Sequence, residues 1–382
     1  MLVYIPLYLI SFVGTYYAQM FKNKYKESNS KKYFWFFIGL VSLIFICITL
    51  VSACRFNIGY DYIFSDNTEL NNIRDGVATT IKEPIPLFVA KFVIKFGFSN
   101  QMYFVIYSII TNLFFILAIF INKDNNFMPR MFIFMCYALF LSTMNQVRQS
   151  PGIALGMFAL AILINYYPKW YSIVISLGLA FTSCLFHYAE IINVAIILIY
   201  ILFRKLDKKI SMRTTIIVCL CILAIAPILF FILKYTIQYI PFFKKYAGYF
   251  YPDGNTTMLW TELGCFFMYI VAMFTTILFM LKFLDREEYQ YKLIFVYLIA
   301  NWTFTMISIL AGNLMLADRA RTMIYGVELF IFPFLLNKFE GKTKITYQFG
   351  AGLLMIAISL GTAIVGKVYP YRCIFFKDLL IY

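Results

Sequence analysis

Long apolar runs separated by short polar segments recur from one end of the chain to the other. As a helix, an apolar run of about 17–25 residues crosses a hydrocarbon core of about 30 Å. We therefore predict an all-α, polytopic membrane protein with about twelve transmembrane helices, forming a single integral membrane domain over residues 1–382. The predicted spans are residues 2–20, 34–54, 101–121, 131–145, 150–167, 170–186, 189–203, 214–234, 261–281, 293–311, 321–336 and 346–366.

Lysine-rich loops alternate regularly with the other loops that connect these spans. Basic residues are enriched in the cytoplasmic loops of membrane proteins, so the alternation places the lysine-rich loops inside and both ends of the chain outside. The predicted inner loops hold residues 22–32, 123–130, 169, 204–213, 282–292 and 338–344. The remaining polar segments are therefore predicted to face outward.

Two predicted outer segments are more than connectors. Residues 55–83 are too polar to cross a bilayer, and the apolar stretch Pro84–Phe98 that follows carries Lys91 and Lys95 four residues apart. That spacing predicts an amphipathic helix lying in the membrane interface. The second segment, residues 235–260, is rich in aromatic side chains that could anchor it at the headgroups or stack on sugar rings.

The composition supports a membrane protein, since 62% of the 382 residues are hydrophobic and only 13% are charged, against about 25% charged in soluble domains. The formal charge of +15 lies in short loops between spans, which is the usual topology signal, so we predict no nucleic-acid partner. Of the eight cysteines, Cys54 and Cys373 fall near the outer face and could pair, but none has the spacing of a metal or redox site. No nucleotide, zinc or serine-triad motif is present, so we predict no metal and no cofactor.

A polar cluster interrupts two apolar runs at Asn145, Arg148 and Gln149. A charge near a membrane edge is often only an anchor. Asn145 and Gln149 are four residues apart, however, so a helix start could present all three side chains toward a cavity. Because intramembrane polar clusters are functional by default, we favour a binding role for Arg148.

A second polar cluster opens the eleventh predicted span. Arg321 and Tyr325 share one helical face, and Asp318 could cap the helix or pair with an arginine. A structural ion pair is one interpretation. Arg319 and Arg321 beside a helix N-terminus would alternatively form a diphosphate clamp.

Three residues are candidates for proton transfer on the outer side. His187 is the only histidine, and it could exchange a proton near neutral pH or simply hydrogen-bond a neighbouring helix. Asp61, flanked by Tyr62, and Glu83, just before the interfacial helix, could each act as a general base for a sugar hydroxyl. Either carboxylate could equally be a solvated loop acid.

These motifs together resemble the EpsG family of exopolysaccharide and O-antigen polymerases. The resemblance rests on Arg55-x-x-x-Gly59-x-Asp61-Tyr62, Glu83 before an apolar helix, Asn145-x-x-Arg148-Gln149, Phe186-His187, the Arg319 and Arg321 pair, and Tyr369-Pro370-Tyr371. It covers about residues 50–372. The sequence departs from the expected pattern at Tyr188, where a smaller or polar residue is commoner.

The resemblance implies a Wzy-like glycosyltransferase in a bacterial plasma membrane, with its active site facing the periplasm or cell exterior. Such enzymes transfer a glycan chain from undecaprenyl diphosphate to the non-reducing-end hydroxyl of another lipid-linked repeat unit, with inversion. Implied partners are the lipid-linked oligosaccharide, membrane lipid, a flippase and a chain-length regulator. The outer loops would then form a substrate basin.

The chemistry of the residues agrees with that scheme. A departing diphosphate needs preorganised cations, which Arg148, Arg319 and Arg321 would supply. The attacking hydroxyl needs a proton acceptor, for which Asp61, Glu83 and His187 are candidates. Supporting roles fall to Arg55, which could orient Asp61 or bind diphosphate, and to Tyr62, Asn145, Gln149 and Tyr325.

Two rival functions use the same residues differently. A flippase for lipid-linked sugars would bind substrate with its arginines and carry out no chemistry, but the polar clusters lie at one membrane edge and no half-to-half similarity is visible. A membrane O-acyltransferase would use His187 as its base. An outward-facing His187 is poorly placed for an acyl group that arrives from the cytoplasm.

Overall fold

The computed structural model describes residues 3–205 except 60, 63–65 and 138, residues 291–297 and 299–300, and residues 324–381 except 325 and 366, with scattered single positions between 217 and 239. The described chain is mostly helical. Its helices are α1 Tyr4–Ser28, α2 Lys31–Ala53, α3 Asn67–Arg74, α4 Pro84–Lys95, α5 Asn100–Phe120, α6 Phe127–Cys136, α7 Leu139–Asn145, α8 Ser150–Tyr166, α9 Trp170–Phe186, α10 Ile191–Lys205, α11 Glu328–Lys338 and α12 Gly341–Val365, followed by strands β1 Tyr371–Cys373 and β2 Phe376–Ile381.

Several predicted spans coincide with these helices. In the part of the chain that the structure describes, α2, α5 and α12 are each long and apolar enough to cross a membrane, and α8 and α9 are shorter apolar helices. The predicted span 131–145 consists of two helices, α6 and α7, which meet at a bend of 41°. The predicted spans 214–234, 261–281 and most of 293–311 lie outside the described residues, as does most of the aromatic segment 235–260, so the total of about twelve remains a prediction.

The chain divides into two compact units, residues 1–197 with 325–382, and residues 198–324. In the first unit α1 packs on α2, α2 on α5, and the almost fully buried α8 on both α5 and α9. In the second unit, the described residues include Phe203, whose ring meets Phe295 edge to face with centroids 5.4 Å apart.

Hydrogen bonds gather the lysine-rich loops of the first unit at one end of its helices, which we call the lysine end. Lys22 Nζ donates to Phe120 O at 3.1 Å, and Lys26 Nζ donates to Lys123 O at 3.1 Å. Lys123 N in turn donates to Asn165 Oδ1 at 2.9 Å. Two of the loops that the lysine pattern assigns to one side of the membrane, residues 22–32 and 123–130, therefore lie together.

The opposite end, which we call the site end, holds the end of α2, the start of α5 and the turns α7–α8 and α9–α10. Gln101 at the start of α5 donates through Nε2 to the carbonyl oxygens of Ala53 (2.6 Å) and Arg55 (2.9 Å). Tyr371 donates to Val51 O at 2.7 Å, which brings the C-terminal hairpin to the same end. The polar residues 55–83, expected as a loop, contain the short helix α3.

The C-terminal segment pairs with the chain that follows α2. Arg55 and Cys373 form an antiparallel bridge, and Ile374 N donates to Cys54 O at 2.8 Å. Gly59 N donates to Lys367 O at 3.0 Å, so the contact continues toward Asp61. Pairing places Cys54 opposite Ile374 rather than Cys373, and both thiols are free, so the disulfide considered from the sequence is not formed.

Candidate functional site

The centre of the site end is an ion pair between Arg148 and Asp66. Arg148 Nε lies 2.8 Å from Asp66 Oδ1, and the side chains are 20% and 0% exposed. Arg148 belongs to the tight turn that joins α7 to α8, where Ser150 N and Oγ both donate to Gln146 O. A rigid turn at a helix start therefore presents a mostly buried guanidinium to a fully buried carboxylate.

The charges of two predicted proton acceptors, Asp61 and Glu83, both act on the Arg148 guanidinium. Burial alone lowers the pKa of Arg148, but the negative charges of Asp66, Glu83 and Asp61 outweigh that effect and hold this pKa above its usual range. Arg148 consequently stays charged at any physiological pH. Asp61 and Glu83, which come from separate sequence motifs, are therefore near enough to Arg148 for their charges to act on it.

The two carboxylates differ in access to solvent. The Glu83 side chain is only 1% exposed, at the position that precedes the first turn of α4, so it is not a solvated loop acid. Asp61 is half-buried. Of the two, Asp61 is therefore the carboxylate that an incoming hydroxyl reaches more easily.

His187 ends α9 and begins the short turn that leads into α10. Its Nδ1 accepts a hydrogen bond from Ala189 N at 3.3 Å, and its ring is half-buried. The neighbouring Tyr188 donates through its hydroxyl to Lys82 O at 3.0 Å. Tyr188, the departure from the expected pattern, thus ties the His187 turn to the segment that carries Glu83.

Arg55 is held at the end of α2 by contacts with α2 and α5. The fully buried guanidinium donates through Nη1 to Ser52 O and to Ser108 Oγ at 3.2 Å, and it lies over the Phe104 ring at 5.7 Å from the ring centre. A cation that binds the last carbonyls of a helix offsets the negative end of its dipole. These contacts fit a structural role at the end of α2. Burial lowers the pKa of Arg55 to about 10, so the guanidinium is still charged at neutral pH.

Tyr62 is also fixed by contacts with α5. Its hydroxyl donates to Gln101 Oε1 at 2.8 Å, and its ring stacks on Phe104 with centroids 3.9 Å apart. Since Gln101 also binds the Arg55 carbonyl, the segment that carries Asp61 is fixed on the start of α5.

The remaining predicted site residues divide into two groups. Asn145 is half-buried at the end of α7, and Gln149 is buried and hydrogen-bonds the carboxyl of Glu190. Arg319, Arg321 and Tyr325 lie outside the described residues.

Sequence reasoning missed three polar groups that the structure buries at this end. Asp66 lies in the polar segment 55–83 and was not singled out from the sequence, yet it is the partner of Arg148. Glu190 is fully buried and accepts from Asn193 Nδ2. The spacing of Glu190 and Asn193 is the signal that would have revealed them. An acid and an amide three residues apart in an apolar run share one face of a helix.

The long apolar helices are those of a polytopic membrane protein, and the buried Arg148–Asp66 ion pair lies at one end of them. In the described ranges, no group of His, Cys, Asp or Glu side chains is arranged to hold a metal ion. The model of the EpsG family matches residues 38–373, nearly the whole chain, and the protein belongs to that family. Comparisons with curated proteins and with solved structures gave no match.

Proposed function

We propose that this protein is a polysaccharide polymerase that transfers a glycan from undecaprenyl diphosphate to a hydroxyl of another lipid-linked repeat unit. Membership of the EpsG family supports a glycosyltransferase of this kind. The observation that carries the proposal is the buried ion pair of Arg148 with Asp66, where the charges of Glu83 and Asp61 also act on the guanidinium, because it joins a permanent cation to carboxylates at one end of the helices.

Arg148 would bind the leaving group. Cleavage of the bond between the anomeric carbon and the phosphate oxygen leaves an electron pair on the diphosphate, and a preorganised guanidinium stabilises that charge. The raised pKa of Arg148 keeps this cation charged throughout the cycle. Arg319 and Arg321 are proposed as the further cations of the clamp.

Asp61 would serve the acceptor. It takes the proton of the non-reducing-end hydroxyl while that oxygen forms the new bond to the anomeric carbon from the face opposite the diphosphate, which inverts the configuration. Glu83 and His187 are the alternative bases. The partly exposed Asp61 is favoured over the buried Glu83, which holds Arg148 electrostatically.

The proposed setting is the outer face of a bacterial plasma membrane, where a flippase would deliver repeat units and a regulator would set chain length. Apolar helices support a membrane location. Single cysteines introduced at positions 61 and 187 of a cysteine-free variant, treated in intact cells with an impermeant thiol reagent, test the orientation. Labelling at both positions is expected, and protection of both until the membrane is opened would contradict it.

One reconstitution experiment tests the activity. The purified protein in nanodiscs receives a single defined undecaprenyl-diphosphate repeat unit, and the products are separated by size. A ladder of longer lipid-linked products is expected from the wild type and none from Arg148→Ala. Movement of the repeat unit across a liposome bilayer without elongation would instead identify a flippase.

A further inference from the structure

Two glycines of α8 form a notch that receives two polar side chains. Glu190 comes from the turn before α10 and Asn193 from the first turn of α10. A Cβ added at Gly152 would lie 2.6 Å from Glu190 Cγ, and one added at Gly156 would lie 2.7 Å from Asn193 Oδ1 with the rest of that amide closer still. Glycines four residues apart usually let two membrane helices approach closely. Here the space is filled by a carboxyl and an amide instead.

The two seated side chains bind each other and the wall of the notch. Asn193 Nδ2 donates to Glu190 Oε2 and also points to Gly152 O at 3.4 Å. Both residues are almost fully buried, at 0% and 1% exposure. The close packing of both side chains against Gly152 and Gly156 leaves them little room for displacement.

The notch lies between the two turns that carry predicted functional residues. On one side, the Gln149 side chain hydrogen-bonds the Glu190 carboxyl, and Gln149 directly follows Arg148. On the other side, Glu190 N donates to His187 O at 3.0 Å. Glu190 therefore contacts the Arg148 turn through its side-chain carboxyl and the His187 turn through its backbone N–H.

We propose that Glu190, seated with Asn193 in the notch between Gly152 and Gly156, is a positioning residue that fixes the Arg148 turn relative to the His187 turn. Its effect on turnover rests on the proposed polymerase function. The Glu190 side chain is fully buried, and burial disfavours the charged form of a carboxyl. A glutamine, neutral and of the same shape, should therefore replace it.

The test combines two readouts on proteins in nanodiscs. Hydrogen exchange of a peptide spanning residues 145–152 reports the order of the Arg148 turn, and kinetics with the defined lipid-linked repeat unit report kcat and KM. We expect Glu190→Ala to speed exchange in this peptide and to lower kcat about tenfold or more with KM within about twofold, because small misplacements of catalytic groups are costly. Glu190→Gln is expected to stay close to the wild type in both.

A coupled pair of substitutions tests the notch itself. Gly156→Ala displaces the Asn193 amide, so it should speed exchange in the same peptide, whereas Gly178→Ala on α9, where an added Cβ has open space, should not. Asn193→Ala removes the obstructing amide, so the double variant should exchange no faster than Asn193→Ala alone. If Gly156→Ala and Asn193→Ala speed exchange of this peptide additively, the Asn193 amide does not act by occupying the space beside Gly156.

Two outcomes would overturn the proposal. One is a loss of kcat in Glu190→Gln as large as in Glu190→Ala with unchanged exchange, since Glu190 would then act through its proton. The other is wild-type exchange and kcat in Glu190→Ala. A wild-type protein that makes no polymer would contradict the proposed function, while the exchange measurements would still decide whether Glu190 orders the turn. If Glu190→Ala does not fold, exchange and kcat in Gly156→Ala and Glu190→Gln still decide whether the Glu190–Asn193 pair orders the Arg148 turn.

Discussion

Arg148 Nε and Asp66 Oδ1 lie 2.8 Å apart, and the two residues come from segments that the linear sequence separates by a polar loop and several helices. Asp66 is fully buried, so it depends on Arg148 for a counter-charge. Removing one member of a buried ion pair leaves an uncompensated charge and costs about 3–5 kcal/mol. The pair therefore joins the stability of the site end to the cation proposed for the diphosphate.

The first prediction separates these two roles of Arg148. Asp66→Ala should lower the free energy of unfolding by about 3 kcal/mol, and Asp66→Ala combined with Arg148→Ala should lose less than the sum of the single variants. Arg148→Ala should abolish polymer while protein still reaches the membrane. Thermal unfolding of the purified variants and gel analysis of cell-surface polymer measure the two effects.

Arg74 provides the matched control for Arg148. It is exposed at the end of α3, where it donates to Phe98 O and Asn100 Oδ1. Arg74→Ala should leave polymer length and amount unchanged. Normal-length polymer from Arg148→Ala cells would sink the diphosphate-clamp assignment.

The second prediction concerns the proton acceptor. Asp61→Asn should lower kcat about 10²–10⁴-fold, the usual contribution of a general base. Glu83→Gln should lower the protein's stability more than its kcat, because the Glu83 carboxyl is buried and its charge acts on Arg148. The measurements are the rate of elongation of the defined repeat unit and the thermal unfolding of each variant.

The alternative bases give distinct results in the same experiment. A wild-type kcat in Asp61→Asn would exclude Asp61 as the base. A loss of kcat of the predicted size in Glu83→Gln or in His187→Gln, in a variant that still folds, would then assign the role to the residue changed.

The apolar pattern predicted the helices better than it predicted their polar contacts. Uninterrupted runs have no alternative to helix in a membrane, since each backbone group must find its partner within the segment. For this reason α9, predicted as 170–186, has the same bounds in the structure. The bend between α6 and α7 was missed because the apolar run continues through it without proline or glycine.

The site was predicted in part, for a reason that the ion pair illustrates. Arg148, Asp61 and Glu83 interrupt or border apolar runs and so attract attention one by one. Their convergence, and the choice of Asp66 as the partner of Arg148, depend on how α3, α5 and α8 pack, which no local spacing encodes. Glu190 was overlooked because its spacing to Asn193 shows a shared helix face but not the notch in α8 that receives both side chains.

The third prediction is a pH dependence of stability that arises from Glu69 in α3. Partial burial raises the pKa of Glu69, but hydrogen bonds from Thr79 and Thr80 and the charge of Arg148 outweigh burial and bring this pKa below its usual range. The hydroxyl of Thr79 donates to Glu69 Oε2 at 2.7 Å, and that of Thr80 donates to Oε1 at 2.8 Å. The ionised carboxylate thus closes the loop that leads to Glu83.

The sign follows from the lowered pKa. The stabilisation by Glu69 is present above the unfolded-state pKa of about 4.3 and disappears as the pH falls through the lower folded-state pKa. The wild type should therefore melt at a higher temperature than Glu69→Gln at pH 7, and the difference should shrink below about pH 4. Glu27→Gln, at an exposed position near the end of α1, should show no such difference. A gap of equal size at pH 7 and at pH 3 would rule out this origin.

The fourth prediction compares two glycines that share a backbone conformation but differ in their surroundings. Gly59 and Gly76 have φ of +90° and +72°, in the left-handed region where any other residue is strained. A Cβ at Gly76 would meet nothing, whereas one at Gly59 would collide with Met144 O and lie 3.1 Å from Asn145 Cα. Gly59 is thus the point where the Asp61 segment touches the end of α7.

Substitution by alanine should therefore separate strain from collision. Gly76→Ala should cost about 1–2 kcal/mol, the price of a left-handed alanine, and leave polymer unchanged. Gly59→Ala adds a clash with backbone, which only a shift of the Asp61 segment away from the α7–α8 turn can relieve. Because that shift separates Asp61 from Arg148, we expect Gly59→Ala to lose most elongation activity at a protein level similar to that of Gly76→Ala. Equal activity in the two variants would show that the contact between Gly59 and α7 does not position Asp61.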